Sequence, residues 1–170
     1  MTMATRQRTR LAEALAADGP HPEHAEALML FGRFVGEWDF DWVAYDRDGE
    51  QSSAERGEWI FDWVLEGRAV QDVWIVPARE YGTTIRVYDP RLDVWLVTWH
   101  GPVNGARRTF VARRSGDEIV QEGRTERGHP MRWIFSEIAE DSFSWRSVVS
   151  EDGERAWQLR EEMHVRRKPG

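Results

Sequence analysis

From Gly36 onward, apolar and polar residues alternate with a period of two, and this restricts the fold more than any other feature of the chain. The stretch GEWDFDWVAY sets Trp38, Phe40, Trp42 and Ala44 on one side and Glu37, Asp39 and Asp41 on the other, the pattern of a strand with one buried face. GEWIFDWVL repeats the device with Trp59, Phe61 and Trp63. RAVQDVWIVP, GTTIRVYD, DVWLVTWH, RRTFVARR, DEIVQEGRT, MRWIFSEI, SFSWRSVV and RAWQLREEMHV are each of strand length and rich in β-branched or aromatic residues, which makes ten predicted strands. Between them lie turns such as DRDGE, PAREY, DPRLD, GPVNG, RSGD and EDGE. These suit antiparallel hairpins and are too short for a helical crossover.

A meander of that many strands twists until it either closes or splits into a sandwich, and closure removes the exposed edges. The predicted fold is therefore all-β: an antiparallel up-and-down barrel of about ten strands. The first 35 residues read differently. TRQRTRLAEALAAD is rich in helix formers and ends at Gly19-Pro20, and HPEHAEALMLFGRFV spaces Ala25, Leu28, Met29, Phe31 and Phe34 as a helix would. The expected organisation is a helical segment at 1–35 covering one end, a barrel at 36–166, and a short tail at 167–170, with residues 1–8 also frayed.

Composition narrows the function classes. The net charge of -7 lacks the basic face that phosphate contacts require, so no nucleic-acid partner is expected. With no cysteine there is neither a disulfide framework nor a thiolate metal site, and the chain suits a reducing cytoplasm. The most apolar run, ALMLFGRFVG, is short and broken by charge and glycine, so no membrane partner is expected. His21 and His24, with Glu23 and Glu26 nearby, make no recognisable ligand spacing, and His129 before Pro130 is isolated; no metal and no cofactor are assigned. Ten tryptophans against three tyrosines call for a wide core, a lined cavity, or both.

Gly36-x-Trp38 at the start of the first strand, after a short helix and ahead of a meander, resembles the calycin superfamily of lipocalins, fatty-acid-binding proteins and nitrobindin-like barrels. LEGRAVQDVWIVP, IRVYDPRLDVWLVTW and SEDGERAW are similar to bacterial lipocalin-like domains of that superfamily, so the resemblance spans roughly residues 30 to 166. It implies a barrel with a small-molecule cavity and no particular reaction. The sequence departs from the nitrobindins, which carry a glycine-rich continuation after the Trp and a haem-ligating His on the last strand. Here the continuation is Asp39-Phe40-Asp41-Trp42, and parity turns His164 toward solvent when the aromatic face points inward.

Polar residues sharing the aromatic face are the candidates for chemistry. Parity puts Asp72 beside Val70 and Trp74, Arg108 beside Phe110, Gln121 beside Ile119, and Glu161 beside Leu159 and Met163. For DVWLVTWH either Val94, Leu96, Thr98 and His100 face in, or Trp95, Val97 and Trp99 do. His100 then reads either as an acid or base at the cavity mouth or as a strand-end histidine hydrogen-bonded to the following turn, and Asp72 either orients such a histidine, binds a polar ligand end, or forms an ion pair with a neighbouring Arg. Arg108 could hold a carboxylate, or be paired on the surface. Trp38 reads as a structural plug. Trp42, Trp59, Trp63, Trp74, Trp133, Trp145 and Trp157, with Thr98, Gln121 and Glu161, are the expected lining.

Three functions fit these residues. The leading one binds a small hydrophobic, aromatic or polycyclic molecule between Trp walls. Another is an isomerase, cyclase or dehydratase on the same barrel, with His100 moving the proton. The last is a non-catalytic homodimer module, which requires Trp95 and Trp99 on the outer surface as a shared apolar patch.

Overall fold

The structure, a computed structural model, describes residues 9–170. The expected frayed segment at 1–8 lies outside the described residues. Helix α1 (Arg10–Leu15) and a single 3-10 turn (Pro22–His24) precede α2 (Ala25–Gly32). The strands are β1 (Gly36–Tyr45), β2 (Gln51–Val64), β3 (Ala69–Val76), β4 (Glu80–Asp89) and β5 (Val94–Gly101), then β6 (Ala106–Ser115), β7 (Glu118–Arg124), β8 (Pro130–Ser136), β9 (Ser142–Val149) and β10 (Gln158–Arg167). Each pairs antiparallel with its sequence neighbours, and β10 returns to pair with β1, closing a ten-stranded barrel.

The alternation does what the pleat demands. Trp38, Phe40 and Trp42 of β1 and Trp59, Phe61 and Trp63 of β2 are buried, while Asp39 and Glu58 between them are exposed. On β5 the tertiary structure selects Trp95, Val97 and Trp99 as the inward set, and His100 is exposed on the outer face.

One end of the barrel is filled. Helix α2 sends Leu28 and Phe31 inward, followed by Phe34, into a cluster with Phe61, Phe135 and Phe143. Gly32 sets the depth of that entry, because a Cβ there would fall 2.3 Å from the Trp63 ring. Trp63 is thereby committed to seating the helix. Trp38 acts as the plug: its indole donates to the Phe34 carbonyl at 2.7 Å, and the Arg167 guanidinium covers its ring at 4.0 Å.

Arg167 corrects the boundary expected for the C-terminal tail. It ends β10 opposite Trp38 and donates to the carbonyls of Val35 (3.0 Å), Arg33 (3.1 Å) and Glu140 (3.0 Å). One planar guanidinium thus ties the last strand to the helix exit and to the β8–β9 connection.

A bulge near the start of β10 has the opposite effect on another expectation. Leu159 faces Val148 and Glu161 faces Ser147, so Arg160 is an extra residue that breaks the alternation counted back from Met163. Trp157 consequently lies outside the barrel, where Arg132 stands 4.2 Å over its ring.

Candidate functional site

The other end of the barrel is open. The chain runs from the filled end along β1, β3, β5, β7 and β9 and returns along the even-numbered strands, so the hairpin turns after the odd strands surround the mouth. Within it lies a cavity of about 370 Å³, in the range of small-molecule pockets. The structure brings seven of the expected residues together on its wall: Trp42, Trp59, Trp74, Arg108, Trp133, Trp145 and Glu161.

The rings form a closed belt. Trp74 meets Trp99 at 6.0 Å and 83°, Trp99 meets Trp133 at 6.4 Å and 72°, and Trp133 meets Trp145 at 5.4 Å and 62°. Trp145 meets Trp59 at 6.4 Å and 85°, and Phe40 completes the circuit between Trp59 (6.4 Å) and Trp74 (5.3 Å). Most of these contacts are edge to face, the arrangement the ring quadrupole favours. Gly82 makes room for one of them, since a Cβ there would lie 2.2 Å from the Trp99 ring.

Polar groups gather at the mouth. Asn104, from the GPVNG turn, donates to Glu80 at 2.7 Å. Arg108 is paired with Glu126, and Arg79 donates to Ser53 at 2.8 Å, stands 3.6 Å from Glu55 and covers the Trp42 ring at 4.8 Å. Glu161 differs from these. Among the described residues no cation lies within ion-pair distance of it, and it lines the cavity from β10, opposite Ala44 of β1 and Ser147 of β9 and near the Trp42 indole. Burial pushes its carboxyl above the usual glutamate range; the Trp42 indole and the more distant Arg108 and Arg79 pull the other way without cancelling the effect.

The remaining expected residues are elsewhere. His100 and Thr98 project from the outer face of β5, because Trp99 and Val97 take the inward positions; an acid–base role at the cavity mouth for His100 is therefore corrected. Asp72 does point inward, but it is locked in an ion pair with the buried Arg86 and accepts the Thr84 backbone N–H at 3.1 Å, away from the cavity wall. Burial pushes the Asp72 carboxyl up, opposed chiefly by Arg86, while the nearby Trp59 indole makes no aligned hydrogen bond. Phe31, Phe61 and Phe135 surround the Arg86 guanidinium at 5.1 to 5.8 Å, so the pair belongs to the core. Gln121 is enclosed opposite Ala112 and Trp133 with neither amide atom hydrogen-bonded. Trp63 seats α2, and Trp157 is outside.

Sequence reasoning did not single out Arg79, Glu80, Thr84 or Asn104. Arg79 and Asn104 belong to turns, where no periodicity indicates direction. Trp99 was visible as one of two alternatives for its strand. No group of three or more potential ligands is placed to hold a metal among the described residues. No described helix is long and apolar enough to cross a membrane.

No protein-family model matches the chain, and no curated protein matches it. Among solved structures, the S-type phycobiliprotein lyase CPES from Guillardia theta is similar with a TM-score of 0.58 and 12% identity, over 89% of this chain and 99% of that one. At that identity the likeness concerns the fold alone, a closed antiparallel up-and-down barrel.

Proposed function

We propose that the barrel binds a small hydrophobic molecule with an aromatic or polycyclic framework, held among the indoles of the belt. The observation that carries this reading is the cavity itself. Protein interiors are normally packed to crystal-like density, and at the helical end of this barrel Leu28, Phe31 and Phe34 fill the interior. The opposite end retains about 370 Å³ although it is walled by large rings. A flat apolar ligand gains most from such a wall, because each face or edge it presents meets an indole already held in place by its neighbours. The likeness to a phycobiliprotein lyase is compatible with a barrel that handles a small conjugated molecule such as a bilin.

Native mass spectrometry of the chain purified from its own host, beside a denatured aliquot, tests the reading. A small-molecule mass lost on denaturation supports it. If only the bare chain appears and no aromatic probe perturbs the tryptophan fluorescence, the reading fails.

The enzymatic alternative keeps one supporting observation. Glu161, rather than His100, is an acid–base group that reaches the cavity, and its raised proton affinity suits a general acid. The dimer reading loses the patch it required, since Trp95 is buried in the core and Trp99 lines the cavity.

A further inference from the structure

We infer that the ligand carries a basic nitrogen, and that its protonated form pairs with Glu161 inside the tryptophan belt. This rests on the binding reading above and names the chemical class the site selects.

The argument is one of unmatched charge. The cavity and its rim hold two guanidiniums, Arg79 and Arg108, and four carboxyls, Glu55, Glu80, Glu126 and Glu161. Both guanidiniums are already engaged, Arg108 with Glu126 and Arg79 with Ser53 and Glu55, at the rim where solvent reaches the acids. Glu80 is satisfied by Asn104. Glu161 is left inside with the neutral Trp42 indole beside it and, among the described residues, no cation within ion-pair distance, although an enclosed carboxylate is costly to ionise without a counter-charge. A ligand ammonium or protonated ring nitrogen supplies the positive charge that is missing.

The walls favour the same chemistry. Indole faces attract cations, and the arrangement of several around one carboxylate is the general design for recognising organic ammonium groups. Arg79 already shows the principle on this wall, with its guanidinium standing over Trp42. An anionic ligand would instead have to displace Glu126 or Glu55 from the arginines and would still leave Glu161 unpaired.

The test uses three probes of one shape: 2-(aminomethyl)naphthalene, 2-(hydroxymethyl)naphthalene and naphthalene-2-carboxylate, titrated calorimetrically into the full chain above neutral pH. The ammonium is expected to bind about tenfold more tightly than the alcohol, and the carboxylate more weakly than either. In Glu161→Gln the ammonium should fall to the affinity of the alcohol, while alcohol binding stays within about twofold and shows the cavity intact. Acidification should abolish the ammonium's advantage in the native chain, as protonation neutralises Glu161; Arg79, Glu80 and Arg108 are the other charged groups facing the cavity. Tightest binding by the carboxylate, or an ammonium preference that survives Glu161→Gln, overturns the inference but keeps the binding reading. Failure of all three probes to bind overturns both.

Discussion

The indole of Trp99 meets that of Trp133 edge to face at 6.4 Å and 72°, across a span that no pair of hydrogen-bonded neighbouring strands bridges. The contact joins the β3–β5 side of the belt to the β8–β9 side and so helps hold the cavity open as one ring. Trp99→Leu should weaken binding of 2-(hydroxymethyl)naphthalene by about tenfold. His100→Ala and Trp157→Leu, both on the outer surface, should leave it within about twofold. Equal losses from Trp99→Leu and Trp157→Leu in calorimetry would contradict the placement of the site.

The Asp72 and Arg86 side chains form the barrel's fully buried ion pair. Asp72→Asn or Arg86→Met alone should each cost about 3–5 kcal/mol, because each leaves the partner's charge buried and uncompensated. Replacing both with apolar residues of similar volume should recover much of that loss. Guanidinium denaturation of the single and double variants measures the coupling, and additive losses would argue against the pair.

Glu161 gives stability a pH dependence whose sign follows from burial. Its proton affinity is raised in the folded chain, so above the ordinary glutamate value the unfolded chain releases this proton first. Between that value and the folded pKa the folded state binds more protons, and its stability falls as pH rises. Glu161→Gln has no proton there to lose. Its stability relative to the native chain should therefore grow across that window, and denaturation midpoints that run in parallel with pH would refute the assignment.

At the filled end, Gly32→Ala pushes a methyl group into the Trp63 ring and should cost about 1–3 kcal/mol through overpacking. Thermal melts of this variant beside Gly19→Ala, a position with open space around its Cβ, separate the steric effect from the general effect of replacing glycine.

Arg167→Lys should destabilise by about 2–4 kcal/mol despite retaining the charge, because an ammonium cannot span three carbonyls and cover the Trp38 face together. Chemical denaturation checks this; a loss below about 0.5 kcal/mol, typical of a surface change, would return Arg167 to the status of a tail residue.

The strands, their antiparallel order, the closure and the helical cover were legible in the sequence, because each rests on local periodicity and on turns too short for any other connection. So was the inward direction of Trp42, Trp59, Trp74, Arg108, Trp133, Trp145 and Glu161, which lie on strands whose alternation is unbroken at those positions. Parity says which face a residue takes; it does not say how far along the barrel the residue sits. Only packing against α2 decided that Trp63 fills the closed end; an ion pair with an arginine was already one reading of Asp72, and the fold supplied Arg86 as the partner that keeps it from the cavity. His100 and Thr98 went outward because both faces of β5 carry apolar residues and the larger indoles took the interior, a choice made across the barrel rather than along the strand. Trp157 was displaced by one extra residue at Arg160, since a single bulge reverses every direction counted beyond it.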